Sequence, residues 1–146
     1  MNWLETEETV RFNEVDEWGM AWHGHYVAWF EVGRMALLRR FDLLPGQIVD
    51  LGYIAPVVHL ECDYKHPGVS GDRIVIRTTV DKPEIAALTF RFEVLFREDR
   101  KLLARGKTTQ VLLTNEKKMV YWLSGELKER IHRLVDFCQG GQGHFP

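Results

Sequence analysis

Between residues 24 and 41 the positions Tyr26, Phe30, Gly33, Leu37 and Phe41 recur at steps of four, three, four and four. That spacing marks one helix face, and it predicts a long helix over Gly24–Phe41, about 27 Å in length. Leu43-Leu44-Pro45-Gly46 stops it. A glycine inside a helix costs ~1 kcal/mol against alanine, so Gly33 points to close approach of another backbone. Upstream, Val10 and Phe12 alternate with polar neighbours over residues 7–14 and predict a short strand, which Asp16-Glu17-Trp18-Gly19-Met20 breaks. Downstream the period changes to two. Val58, Leu60, Cys62 and Tyr64 oppose His59, Glu61 and Asp63 over 53–64, and Ile74, Ile76 and Thr78 oppose their neighbours over 73–80. Further strands are predicted over 88–96, where Leu88, Phe90, Phe92, Val94 and Phe96 share a face, and over 102–113, where Arg105 and Lys107 share one. No helical crossover fits between them, so they read as antiparallel neighbours. Met119–Leu123 predicts a last short strand. Ser124 is then a candidate N-cap for a final helix with the apolar stripe Leu127, Ile131, Leu134, Val135 and Cys138. The class is α+β: an antiparallel sheet of five to six strands whose apolar face needs the long helix as its cover.

Composition narrows the picture. The chain has 146 residues, 45% of them hydrophobic, enough for one domain with a real core. We place that domain at 1–138, with 139–146 as a flexible C-terminal tail. Nineteen Lys+Arg against 21 Asp+Glu leave a net charge of −2, without the basic stripe of a nucleic-acid binder. The two cysteines, Cys62 and Cys138, form neither a CxxC pair nor a disulfide framework. No run of residues is apolar and long enough for a membrane span, and the first residues lack the pattern of a signal peptide. A cytoplasmic location is expected.

The densest chemistry lies between Asp16 and Phe30. Asp16 precedes a break and His23 opens the long helix. A helix N-terminus offers unpaired N–H groups that stabilise an oxyanion, and a nearby carboxylate can serve as nucleophile or general base. Asp before a helix is also an ordinary cap or turn former. His23-x-His25 with Asp16 lacks a third ligand at a motif spacing, so no metal is expected. Trp18, Trp22, Trp29 and Phe30 are either core or the wall of a pocket. Glu31 and Arg34, three apart on the helix, are placed to pair.

Val10-Arg11-Phe12-Asn13-Glu14-Val15-Asp16-Glu17-Trp18-Gly19-Met20-Ala21-Trp22-His23-Gly24-His25-Tyr26 resembles the signature of hotdog-fold acyl-CoA thioesterases of the 4-hydroxybenzoyl-CoA thioesterase-like branch, which includes the Tol-Pal-associated thioesterases. Trp29-Phe30-Glu31-Val32-Gly33-Arg34, and later Cys62-Asp63-Tyr64-Lys65-His66-Pro67 with Gly71-Asp72, resemble the family's helix and its inter-strand junction. The likeness runs from about residue 8 to residue 135. It implies a hotdog fold and hydrolysis of a thioester to free acid and CoA. It implies Asp16 as the catalytic carboxylate, the backbone N–H at His23 as the group polarising the carbonyl, and a mainly structural Tyr26. Trp18, Gly19, Trp22, Gly24 and Tyr26 are the expected substrate pocket. CoA belongs to the substrate, and no separate cofactor is implied. The substrate is an acyl-CoA or an acyl-carrier-protein thioester. Lys65, Arg91, Arg105 and Lys107 are candidate contacts to CoA phosphates. The resemblance also implies a homodimer or homotetramer with its site between subunits. Glu14-Val15, Trp18 and Gly24-His25 depart from the family's usual residues and bear on acyl specificity. A hotdog dehydratase or hydratase is the alternative enzyme, although no H-x-x-G-x-P motif is present. The alternative outside catalysis is an acyl-ligand-binding hotdog module.

Overall fold

A computed structural model describes residues 1–140. The tail residues 141–146 lie outside the described residues. Five strands form one antiparallel sheet in the order β1-β4-β5-β6-β3: β1 (Leu4–Thr9), β3 (Val57–Tyr64), β4 (Arg73–Val80), β5 (Ala87–Phe96) and β6 (Leu102–Val111). A two-stranded ribbon pairs β2 (Tyr53–Ile54) with β7 (Leu113–Thr114). The long helix α1 (His23–Arg39) lies across the sheet, followed by α2 (Pro45–Asp50), and α3 (Gly125–Gln139) closes the fold.

The predicted helix face is the buried one. Tyr26, Phe30, Gly33 and Leu37 all point into the core, joined by Trp29, Leu38 and Arg34. From the sheet, Ile74, Ile76, Leu88, Phe90, Phe92 and Val94 meet them, every one essentially inaccessible. Phe30 stacks on Phe92 with ring centroids 4.7 Å apart, and a side chain at Gly106 would strike the Phe30 ring. Gly33 answers to the same crowding, with one difference from expectation. The groups pressed against it are the side chains of Thr78 and Ile76 on β4, not a backbone. Gly33→Val therefore wedges a β-branched side chain into the helix–sheet contact. Urea denaturation is expected to show a loss of about 2 kcal/mol or more, despite the better helix propensity of valine.

Four local readings change. The first strand is Leu4–Thr9, not 7–14; Phe12–Glu14 is a 3-10 turn and Phe12 is 82% exposed. β1 is masked in the sequence because Glu5 and Glu7 point outward to arginines: Arg77 and Arg100 for Glu5, Arg73 and Arg97 for Glu7. The strand expected over 53–64 divides at Ala55-Pro56, where proline has no N–H to give a ladder. α1 stops at Arg39, before the proline, because Asp42 turns left-handed (φ 56°) and lets Leu43 N–H reach Leu38 O at 3.0 Å. Pro45 instead begins α2, as the residue whose missing N–H a helix start does not need. Residues 119–123 form no strand; Met119 makes only an isolated bridge to Leu113.

α3 carries the predicted stripe of Leu127, Ile131, Leu134, Val135 and Cys138 inward. Ser124 occupies its N-cap position, but its side chain makes no capping bond. The helix includes Gln139, whose Nε2 donates to Val80 O at 2.7 Å, and ends at left-handed Gly140.

Candidate active site

The loop before α1 is pinched closed. Trp22 N–H donates to Glu14 O at 2.9 Å, Val15 bridges Ala21, and Asp16 N–H donates to Met20 O at 2.8 Å. Gly19 takes φ +78° at the tip and returns its N–H to Asp16 O, a conformation that favours glycine. Ala21 N–H donates to Gly68 O at 2.8 Å, which fastens the loop to the junction after β3. Within this frame Asp16 Oδ1 accepts the Trp18 N–H at 2.9 Å. Its second oxygen has no hydrogen-bond partner among the described residues.

The loop delivers the chain into the first turn of α1. Trp22 stands at the N-cap without a side-chain cap. Trp22 N–H is spent on Glu14 and His25 N–H on Trp22 O, while those of His23 and Gly24 meet no acceptor among the described residues. Their dipoles leave a partial positive charge at this end. Tyr64, the last residue of β3, donates its hydroxyl to His23 O at 2.8 Å and so ties the sheet edge to the helix start. Burial pushes the Tyr64 phenol up to about 12, with Cys62 adding to the shift, so its proton stays in place for that bond. Tyr26 lies beneath, its ring 5.2 Å from that of Tyr64 and its oxygen accepting Gly68 N–H at 3.1 Å. Burial raises the Tyr26 phenol too. Tyr26 is thus both a floor and a brace.

Asp16, Trp18, Met20, Ala21, His23 and Tyr26 line one side of a cleft of about 400 Å³, and Tyr64, Lys65, His66 and Pro67 line the other. Four of the expected site residues, Asp16, Trp18, His23 and Tyr26, therefore come together. Gly19 shapes the loop without lining the cleft. Trp22 and Gly24 lie outside the lining as well. The Trp22 indole folds back over Gly24, where any Cβ would collide with the ring, and it sits between the rings of His23 (5.0 Å) and His25 (5.5 Å). Trp29 is core, edge-on to Tyr26. Of the three tryptophans near the site only Trp18 walls the cleft, and it is 83% exposed. Gly24→Ala is expected to destabilise the wild-type chain but to be nearly neutral in a Trp22→Ala background. A double-mutant cycle on melting should return a coupling of about 1 kcal/mol or more.

Of the four candidate phosphate contacts, Lys65 alone is at the cleft. Arg91 is held by Asp81 through Nε at 2.8 Å, Arg105 reaches Glu93 at 3.5 Å, and Lys107 reaches Glu61 at 3.3 Å. Among the described residues no three His, Cys, Asp or Glu gather as metal ligands, and no helix is long and apolar enough to cross a membrane. Tyr64, His66, Pro67, Met20 and Ala21 were not expected in the cleft. The Cys62–Pro67 segment stood out in the sequence, but nothing there tells which strand end meets the helix start.

A second, smaller pocket of about 300 Å³ lies farther along α1. Met35, Leu38, Ile48, Ile54 and Val57 give it apolar walls, and Glu31, Arg34 and Gln110 supply polar groups. Arg34 is only 7% exposed. It pairs with Glu31 as expected, yet its Nε has no partner. Burial pulls its guanidinium below the usual arginine range, and Glu31 opposes that pull.

A helix enfolded by an antiparallel sheet, with a carboxylate and a bare helix start on one cleft, defines a class. Residues 10–137 match the model of the thioesterase-like superfamily. The chain belongs to that superfamily, and its fold is the hotdog. Among relatives it is 35% identical over 75 residues to YneP of Bacillus subtilis (strain 168), named as a candidate acyl-CoA thioesterase, a match covering 51% of this chain and 54% of that protein. The chain thus spans about half the length of that relative. It is 28% identical over 110 residues to the 1,4-dihydroxy-2-naphthoyl-CoA hydrolase of Synechococcus sp. (strain CC9605), covering 71% of this chain and 72% of that one. Its fold superposes on the DHNA-CoA thioesterase of Staphylococcus aureus with a TM-score of 0.83 at 22% identity, over 99% of this chain and 98% of the other.

Proposed function

We propose that this protein hydrolyses an acyl-CoA thioester to the free acid and CoA. The observation that carries the reading is the single cleft shared by the Asp16 carboxylate and His23, whose N–H at the start of α1 meets no acceptor among the described residues. The thioester carbonyl oxygen accepts from the His23 N–H group, which meets the negative charge that develops during attack. The Asp16 carboxylate either attacks the carbonyl carbon or takes the proton of a water that does so. Either way the C–S bond breaks, CoA leaves as the thiol, and water supplies the acid's second oxygen. Lys65 at the cleft mouth offers a charge to the CoA phosphates. The names of the relatives support this reading.

The active form is a homodimer. The sheet's two edges differ: β1 carries Glu5 and Glu7 among four arginines, whereas β3 leaves Val57, Val58, Leu60 and Tyr64 exposed beside an unpaired strand edge. Such an edge is a template for another strand. The free thiols of Cys62 and Cys138 fit a reducing cytoplasm. The test of the activity is release of free thiol from short-chain, long-chain and aromatic acyl-CoAs. Turnover of at least one of them is expected, and none from any overturns the reading.

A further inference from the structure

We infer that His66 is a further catalytic residue, the base that activates the hydrolytic water once Asp16 has taken the acyl group. This rests on the thioesterase reading and assigns Asp16 the part of nucleophile. His66 follows β3 in the junction that lines the cleft together with Asp16. The junction is fastened to the start of β6, where Lys65 N–H and His66 N–H both donate to Leu103 O, at 2.7 and 3.1 Å. The ring is fastened separately. Its Nδ1 lies 3.0 Å from Leu102 O. A carbonyl oxygen can only accept, so Nδ1 carries the hydrogen, and in the neutral ring Nε2 carries the lone pair. Nε2 meets no hydrogen-bond partner among the described residues, and the side chain is exposed, within reach of water.

The other titratable groups of the cleft leave this role to His66. Tyr64 spends its hydroxyl proton on His23 O, and its phenol, pushed up to about 12, stays protonated. The Tyr26 oxygen accepts Gly68 N–H, and burial raises that phenol as well. Lys65 brings a cation. The His23 ring leans on the Trp22 indole, centroids 5.0 Å apart, and no hydrogen bond among the described residues sets its tautomer. Carboxylates are weak bases at neutral pH, since their reference pKa is about 4. Imidazole matches neutral pH far better. The unpartnered Asp16 oxygen is suited to attack an activated acyl group, and the held imidazole is suited to take a proton.

The two steps then divide between them. Asp16 attacks the acyl carbon, a C–O bond forms and the C–S bond breaks. CoA leaves as the thiolate and takes a proton from solvent. The acyl group is now held as a mixed anhydride. A water oxygen attacks the same carbon while His66 Nε2 takes the water's proton. The bond between that carbon and the Asp16 oxygen breaks, which restores the carboxylate and frees the acid. The exposed imidazolium returns its proton to solvent. The His23 N–H meets the oxyanion in both steps.

His66→Asn is the informative substitution. Its amide nitrogen can replace Nδ1 as the donor to Leu102 O, so the junction stays braced while the base is lost. Acetyl-CoA, palmitoyl-CoA and benzoyl-CoA are compared, and the one that wild-type protein cleaves fastest is carried forward. Quenched-flow sampling follows CoA release, and circular dichroism verifies folding. The variant is expected to lose about tenfold or more in kcat, with KM falling alongside because the anhydride accumulates. CoA should appear in a burst approaching one equivalent per chain before the slow steady state. A ring with a merely structural role would slow the first step too and leave no burst. His66→Ala, which makes room for a small base, should show the same burst, and added imidazole should raise its steady-state rate severalfold. Wild-type steady-state rates in both variants, or slow release without a burst, overturn the proposal. Absence of CoA release from wild-type protein with every substrate overturns the hydrolase reading itself, a distinct result.

Discussion

Asp16→Asn is expected to lower kcat for thioester hydrolysis by about a thousandfold, within the ~10²–10⁴ range for loss of a positioned acid–base group, while KM stays within a few-fold. The substitution separates chemistry from structure. Asparagine keeps a carbonyl oxygen where Asp16 Oδ1 accepts the Trp18 N–H, so the turn at Trp18-Gly19 survives. What disappears is the charge and basicity of the second oxygen, the one left unpartnered at the cleft. Equal cleavage of an acyl-CoA panel by both forms would remove Asp16 from the mechanism. If neither form cleaves anything while acyl-CoA still binds, the protein is a binding module of hotdog type.

The second large effect concerns Leu60. Leu60→Lys is expected to halve the mass seen in sedimentation at micromolar concentration and to abolish most of the activity. The side chain is exposed in a single chain, so the cost to folding of the protomer is within about 0.5 kcal/mol. In the proposed pairing through β3, however, the substitution sets an ammonium group among the exposed apolar side chains of the paired edge. A dimer that persists with full activity would place the interface elsewhere. The monomer should melt as one cooperative unit, because the core of α1, β4, β5 and α3 lies within one chain.

Elements with strong periodicity were legible before any coordinates. The α1 face, the alternation of β5 and the α3 stripe each repeat an apolar residue often enough to declare their period. β1 was displaced because its outward glutamates find arginines on β4 and in the turn between β5 and β6, a long-range match that local alternation does not report. α2 was hidden because Pro45, which ends helices, was acting as the first residue of one. At the site, Asp16 and His23 were legible through the resemblance, since the loop between them is contiguous in sequence. Tyr64, His66 and Pro67 were not, because they reach the cleft only through the antiparallel register of β3 and β6. Trp22 and Gly24 were placed in the pocket because they are neighbours of His23. The Trp22 indole folds instead over Gly24, which has no side chain to keep it away from the helix start.

The dissimilar edges of the sheet also set a limit on growth. An edge that pairs with its own copy about a two-fold axis is consumed by the act of pairing, and the assembly closes. The free ends of the resulting ten-stranded sheet, five from each chain, are then both β1, studded with glutamate and arginine. Like edges of that kind do not welcome a further flat strand. The same charges that hid β1 in the sequence therefore act as a stop signal. In the proposed homodimer they leave β3 as the strand where two chains meet, and they oppose the addition of further copies edge to edge.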